Sequence, residues 1–239
     1  MIVYGKNVFD QLKEQPEAIE EIYAAKGIRD QKLLKQLAKL PNVRWVAREK
    51  LDAMTGGAAH QGIAAKVREI RMLELDELMA RLPKDRPGFL VALDGIQDPH
   101  NLGAILRTAD CAGADGVIVT KHNSAGLTPT AIKTSTGAAY TVPVAGVSSM
   151  AKALQTLKEK GFWIAGTDMQ GARDYRKGMY TEPTVIVIGS EGKGMSPLVK
   201  KQCDYMVKLP MKGAITSLNA SVAAALLLYE VLNQREPAE

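Results

Sequence analysis

Leu209-Pro210-Met211-Lys212-Gly213-Ala214-Ile215-Thr216-Ser217-Leu218-Asn219-Ala220-Ser221 runs straight into Val222-Ala223-Ala224-Ala225-Leu226-Leu227-Leu228-Tyr229. An apolar strand ends at a proline, a loop with one glycine follows, and a Ser-Leu-Asn-Ala-Ser cluster opens a helix that is almost wholly apolar. Ser and Asn at a helix start accept hydrogen bonds from the free N–H groups of its first turn. Ser221, Ala223, Ala224 and Ala225 are small enough for another backbone to lie close. A helix this apolar belongs inside a domain, and its polar first turn suggests the buried wall of a ligand pocket. A well-capped core helix accounts for the same residues and is the preferred reading of the stretch taken alone.

The 239 residues suffice for one large domain or two small ones. A net charge of +5 is compatible with a polyanionic partner, and equally with an ordinary basic surface. Cys111 and Cys203 lie far apart without metal-ligating neighbours, which points to a reducing compartment, no disulfide framework and no zinc. No Asp/Glu/His cluster suggests a metal. Met1 to Lys6 carries no signal-peptide pattern, and the apolar run from Val222 is interrupted at Glu230. A soluble, cytoplasmic protein with no membrane span is expected.

Working back from Leu209, the chain from Gly88 onward alternates strands with helices. Strands are expected at Phe89–Leu93, Val117–Val119, Thr141–Val144, Phe162–Gly166, Thr184–Ile188 and Tyr205–Leu209, and helices over Asn101–Ala112, Thr128–Thr136, Met150–Lys160 and Ser196–Gln202. That order indicates an α/β fold with a parallel sheet covered on both faces. Residues 1–71 read as a smaller α/β unit, with helical pattern over Asn7–Glu14, Asp30–Leu40 and Glu49–Met54 and strands at Ala18–Ala24, Val43–Val46 and Gly62–Val67. Lys32, Lys35, Lys39, Arg44, Arg48 and Lys50 crowd against a single acid, Glu49. Such a cluster is a footprint for a phosphate backbone or a solvated helix face. Residues 72–87, ending in the charged Pro83–Pro87 segment, read as a linker, and 88–239 as the second domain.

Three loops follow apolar strands, the edge where open α/β sheets bind ligands. They are Asp94–Ala109, Gly189–Ser196 and Leu209–Ser221. Asp98-Pro99 with Asn101 reads as a turn and helix start. Arg107, beside Leu106 and Ala109, reads either as a surface arginine or as a partly buried one needing an anion. The Gly189 loop matches neither the phosphate-loop nor the G-x-G-x-x-G pattern, which disfavours a nucleotide triphosphatase and a dinucleotide oxidoreductase. His60, His100 and His122 lack a Ser or Cys partner at a recognisable spacing, so no hydrolase triad is indicated.

In order, the three loops resemble the signature motifs of the SpoU (TrmH-like) family of RNA ribose 2′-O-methyltransferases, in the SPOUT superfamily. The matching residues are Asn101, Gly103 and Arg107; Gly189-x-Glu191-Gly192-x-Gly194; and Pro210-Met211-x-Gly213 followed by Ser217-Leu218-Asn219-x-Ser221. Tyr4-Gly5-x-x-x-Val8 and His60-Gln61-Gly62 resemble the family's small substrate-binding domain, which is related to ribosomal-protein-like RNA binders.

The resemblance implies a catalytic domain with a deep C-terminal trefoil knot and a homodimer. It implies S-adenosylmethionine bound near Thr167, Ile188, Gly189, Leu209, Met211 and Leu218. The reaction implied is methyl transfer to a ribose 2′-hydroxyl, closest to enzymes acting on a guanosine of large-subunit (23S) rRNA. Arg107 is then the candidate activator, either as an unusually deprotonated base or, the preferred reading, as a cation orienting phosphate and developing alkoxide. Asn101, Glu191, Ser217 and Asn219 would orient the reactants, and Lys32, Lys35, Lys39, Arg44 and Arg48 would hold RNA. The competing expectations are a tRNA 2′-O-methyltransferase, a non-catalytic RNA-binding ribosome-assembly factor of the same fold, and a small-molecule methyltransferase.

Overall fold

A computed structural model describes residues 2–6, 9–10, 19–40, 42–67, 70–168 and 172–236. Two sheets organise them. The smaller has strands β1 (Ile2–Tyr4), β2 (Ile19–Ala25), β3 (Val43–Val46) and β4 (Ile63–Val67), in the order β1-β4-β2-β3. Strand β4 is antiparallel to β1 and β2, whereas β2 and β3 are parallel. A parallel pair needs a crossover, and α1 (Gln31–Leu37) supplies it. Asp30 caps that helix, its Oδ1 accepting from the N–H groups of Lys32 and Leu33 at 3.0 Å each. Leu33 and Leu37 pack on Ile22, Ala24 and Ile63, while Leu51 of α2 (Arg48–Thr55) packs on Ala25 and Ala64 of the opposite face. The helix expected over 7–14 lies outside the described residues apart from Phe9 and Asp10, which are helical.

His60-Gln61-Gly62 forms the joint that starts β4. Buried His60 accepts the Gly62 N–H at Nδ1 (3.0 Å), which leaves Nε2 to donate to Asp52 Oδ1 (3.0 Å). Gln61 Oε1 accepts from the N–H of Lys6 (2.9 Å), next to Gly5. The two sequence fragments singled out in this part of the chain therefore meet at one hydrogen bond.

The larger sheet holds β5 (Phe89–Asp94), β6 (Gly116–Thr120), β7 (Val144–Val147), β8 (Trp163–Thr167), β9 (Arg173–Asp174), β10 (Thr184–Gly189) and β11 (Tyr205–Lys208). Their order is β7-β6-β5-β10-β8-β11-β9 and every pairing is parallel. Alternate residues of β5 serve opposite layers. Phe89, Val91 and Leu93 pack with α4 (Pro99–Cys111), α5 (Pro129–Thr134), α6 (Ala138–Thr141) and α9 (Ala220–Arg235). Leu90 and Ala92 pack with α3 (Leu75–Met79), α7 (Met150–Glu159) and α8 (Pro197–Lys200). Coverage on both faces explains why these strands are continuous apolar runs.

The strand expected at Thr141–Val144 is a helical turn followed by β7. The buried hydroxyl of Ser135 accepts from the N–H groups of Gly137 and Ala139, which starts α6, and Pro143 has no N–H to give a ladder. The segment 72–87 is packed against the large sheet. Leu73 bridges to β7 through its N–H to Val144 O (2.8 Å) and its carbonyl to Gly146 N (2.9 Å), and Leu78 is fully buried. Val3, Ala65 and Val67 of the small sheet share a core with the α4 side of the large one. Among the described residues, no helix is long and apolar enough to cross a membrane.

Gly103 sits where α4 and α5 touch. A Cβ there would lie 2.5 Å from Ala131 O and 2.6 Å from Thr134 Cβ. Gly103→Ala should therefore lower the unfolding free energy by about 1–3 kcal/mol through overpacking. Urea denaturation checks this, and an unchanged midpoint would mean that α4 and α5 do not pack tightly at Gly103.

Candidate active site

The sheet delivers its loops to one edge. Strand β10 ends at Gly189, and a tight loop returns as Ser190 and Gly194 exchange backbone hydrogen bonds of 3.1 and 2.9 Å. Gly192 and Gly194 take φ of 81° and 66° to close it. A side chain at Gly189 would collide with the backbone of Gly194 and Met195. Asp94, ending β5, pins the far side by accepting from Ser196 N at 2.7 Å. The loop glycines thus hold Glu191 in place by geometry.

Glu191 gathers three segments of chain. Its Oε1 accepts from Asn101 Nδ2 (2.8 Å), Asn219 Nδ2 (2.7 Å) and the N–H of Ala220 (3.2 Å). Asn219 Nδ2 also reaches Asn101 Oδ1 at 3.0 Å. Asn219 Oδ1 caps α9, accepting from Ser221 N (2.9 Å), Ser221 Oγ (2.6 Å) and Val222 N (3.4 Å). The carboxylate thus sits at the positive end of a 16-residue helix, where the dipole favours an anion. Among the described residues, Oε2 of Glu191 has no donor, so it remains able to accept from an incoming group.

Two cavities meet at Glu191. One, of about 930 Å³, is lined by Thr167, Ile188, Gly189, Leu209, Met211 and Leu218, with Glu191, Ser217 and Asn219 on its polar side. The other, of about 280 Å³, is bounded by Gly95, Ile96, Gln97, Asp98, Asn101, Ser190, Glu191 and Lys193. Ser190, Glu191 and Lys193 belong to both. Gln97, Asp98 and Lys193 were not singled out as candidate site residues from sequence. Their position at the ends of β5 and β10, next to the motif residues, is the signal that could have found them.

Arg107 lines neither cavity. It is exposed, and among the described residues it makes no ion pair, so the anionic company allowed for a partly buried arginine is not required. Six residues beyond Asn101, it lies about 9 Å along α4 and about 120° around it. Helix α9 also differs from a fully interior helix. Ala224, Leu227, Leu228 and Val231 are buried, while Val222, Leu226 and Tyr229 form an exposed stripe at i, i+4, i+7. Ile215 and Leu218 of the preceding loop are exposed as well. Arg44, in the basic cluster, is ion-paired with Glu21. Burial pushes the Cys203 thiol up to about 12, which leaves no thiolate nucleophile behind the larger cavity at neutral pH. Among the described residues no group of His, Cys, Asp and Glu could hold a metal ion.

Glu191→Ala should cost about 1–2 kcal/mol of stability, reduced from the usual charged hydrogen-bond value because the carboxylate is exposed. It should speed hydrogen exchange at the Ala220 amide. Unaltered exchange there would show that Glu191 does not hold the start of α9.

A profile of the SpoU rRNA methylase family matches residues 88–229, and one for RNA 2′-O ribose methyltransferase substrate binding matches residues 2–73. YacO of Bacillus subtilis, which carries the name of a TrmH family tRNA/rRNA methyltransferase, is 45% identical over 240 residues, covering 98% of this chain and 96% of YacO. The crystal structure of the SpoU methyltransferase AviRb from Streptomyces viridochromogenes, in complex with the cofactor AdoMet, superposes with a TM-score of 0.83 at 26% identity, over 100% of this chain and 91% of AviRb. A TrmH/SpoU tRNA modifying enzyme from A. aeolicus matches at 32% identity and TM-score 0.59, over 68% of this chain and 82% of its own. With both halves of the chain matched by profiles and a relative alike along almost its whole length, the chain belongs to the SpoU rRNA methylase family of RNA methyltransferases.

Proposed function

We propose that the protein transfers a methyl group from S-adenosylmethionine to the ribose 2′-hydroxyl of a guanosine in 23S rRNA, in the cytoplasm and as a homodimer. The observation that carries this reading is the junction at Glu191, where an apolar-walled cavity and a smaller polar one share a carboxylate with an open acceptor atom.

The larger cavity fits S-adenosylmethionine. Its volume lies within the range of about 300–1,000 Å³ common for small-molecule sites. Ile188, Leu209 and Leu218 supply an apolar slot for an adenine ring, with Gly189 at its wall. Thr167, Met211, Ser217 and Lys193 provide the mixed surroundings that a sulfonium amino acid requires. When bound, the cofactor supplies an electrophilic methyl group. The chain's own residues then position the acceptor. Glu191 Oε2 accepts the hydrogen of the ribose hydroxyl, and Asn101 and Asn219 keep that carboxylate in place. Arginine is a poor base and a permanent cation. Exposed on α4 and outside both cavities, Arg107 acts by holding the RNA phosphate. The smaller cavity takes the acceptor nucleotide.

Residues 1–71 present the RNA and 88–239 catalyse, with 72–87 joining the two. The ribosomal-protein-like module contributes the basic cluster as its phosphate contact. The trefoil knot belongs to the same proposal. The chain leaves β11, beyond β8, and returns to pack α9 on α4 and β10, passing the Gly189 loop on the way. The exposed stripe Val222, Leu226 and Tyr229 supports a homodimer, because apolar helix faces of this kind are normally covered. A tRNA substrate is a second reading, favoured by the tRNA modifying enzyme among the similar structures. The intact Asn101–Glu191–Asn219 junction argues against a non-catalytic assembly factor.

Arg107→Ala should abolish methyl transfer from labelled S-adenosylmethionine to rRNA while calorimetric affinity for S-adenosylmethionine stays within about twofold. Turnover at the unmodified rate would remove Arg107 from the chemistry. Leu226→Asp should convert a dimer to a monomer in sedimentation equilibrium, and a monomeric unmodified protein would contradict the homodimer.

A further inference from the structure

We propose that Trp45 is a stacking platform for an unpaired nucleobase, on the face of the small sheet that also carries α1 and its exposed lysines. The inference rests on the reading of the protein as an RNA methyltransferase and adds a specific contact to it.

The geometry begins with strand order. Strand β3 is the edge of the four-stranded sheet and pairs only with β2 among the described residues. Register places Val43 opposite Ile22 and Trp45 opposite Ala24. Ile22 and Ala24 pack on Leu33 and Leu37, so Trp45 lies on the α1 face. Arg44 belongs to the other face and is ion-paired with Glu21. The structure therefore splits the basic cluster. Lys32 and Lys35 fall at i and i+3 on α1, and Lys39 lies in the turn just beyond its last residue, Leu37. All three are exposed, and none has an acidic partner among the described residues.

Trp45 is 45% exposed, although Ala24 opposite it is completely buried. An indole is ordinarily well covered in a folded domain. No other large apolar side chain of the small sheet or its helices is exposed among the described residues; the remaining eight are Trp163, Met179, Leu198, Ile215, Leu218, Val222, Leu226 and Tyr229, all in the larger unit. A protein partner would want a wider apolar patch. One flat aromatic face, on the side of the sheet whose helix α1 turns unpaired lysines to solvent, instead fits a chain of phosphates carrying unstacked bases. RNA with a splayed base is the occupant to which charge and shape commit.

The only other tryptophan provides an internal control. Trp163 begins β8, and its N–H donates to Pro183 O at 2.8 Å, at the strand end opposite the loops that line the cavities. In Trp163→Phe, fluorescence reports Trp45 alone, and in Trp45→Phe it reports Trp163 alone. Titration with deproteinised 23S rRNA should quench the first and leave the second unchanged, and a fully paired RNA duplex should quench neither. Trp45→Ala should raise the KM for rRNA about tenfold, the size of one lost base–aromatic stack. Its kcat and S-adenosylmethionine affinity should hold, and Trp45→Phe should restore most of the KM. Absence of quenching in Trp163→Phe, or an unchanged KM in Trp45→Ala, overturns the platform while methylation by the unmodified protein leaves the functional reading standing. If the unmodified protein neither binds nor methylates RNA, the functional reading fails and this inference falls with it.

Discussion

One carboxylate oxygen ties the loop edge of the large sheet together. Glu191 Oε1 accepts from Asn101, Asn219 and the Ala220 amide, which belong to segments separated by 90 residues on one side and by 28 and 29 on the other. Hydrogen bonds to a charged acceptor contribute about 1.5–3 kcal/mol each when sheltered, and less on an exposed surface such as this. The significance of the junction is positional. It sets the start of α9, the mouth of α4 and the Gly189 loop relative to one another, and the walls of both cavities follow from that. The glycines nearby serve the same end: Gly189 has no room for a side chain, and Gly192 and Gly194 turn the loop back.

The parallel sheet supplies the frame. Its central strands are parallel and buried on both faces, and they bring their loops to a common edge. The small sheet is fastened to this frame by shared core residues, by Leu73 on β7 and by Lys133, whose ammonium lies 4.7 Å from the centre of the Tyr4 ring. In the proposed function, this fastening lets the unit over residues 2–73, matched to a substrate-binding family, present RNA at a defined distance from the cavities.

The strands around the site were legible because Phe89–Leu93 is an unbroken apolar run and Thr184–Ile188 a continuous β-branched one, closed by Asp94 and Gly189. The three loops were legible because Asn, Glu, Gly and Ser stood together where apolar strands ended. What a sequence does not carry is which atoms meet. Asn219 is both the cap of α9 and the partner of Asn101, a combination that depends on folding residues 118 positions apart into contact. Helix α6 was missed because its start is made by the buried hydroxyl of Ser135, while Thr141-Val142 reads locally as strand. Helix α9 is apolar on every side, so periodicity could not separate its buried face from the exposed Val222–Leu226–Tyr229 stripe. The exposure of Arg107 and Trp45 likewise follows from packing and strand order.

The central claim is that the Glu191 junction places a ribose hydroxyl against a methyl donor. It is tested most directly by incubating the purified protein with S-adenosylmethionine and with rRNA and tRNA from cells lacking it, then mapping methylated nucleotides by mass spectrometry. The account predicts one new 2′-O-methylguanosine in 23S rRNA and none in tRNA. Methylation of a base instead of a ribose, or modification confined to tRNA, would contradict it.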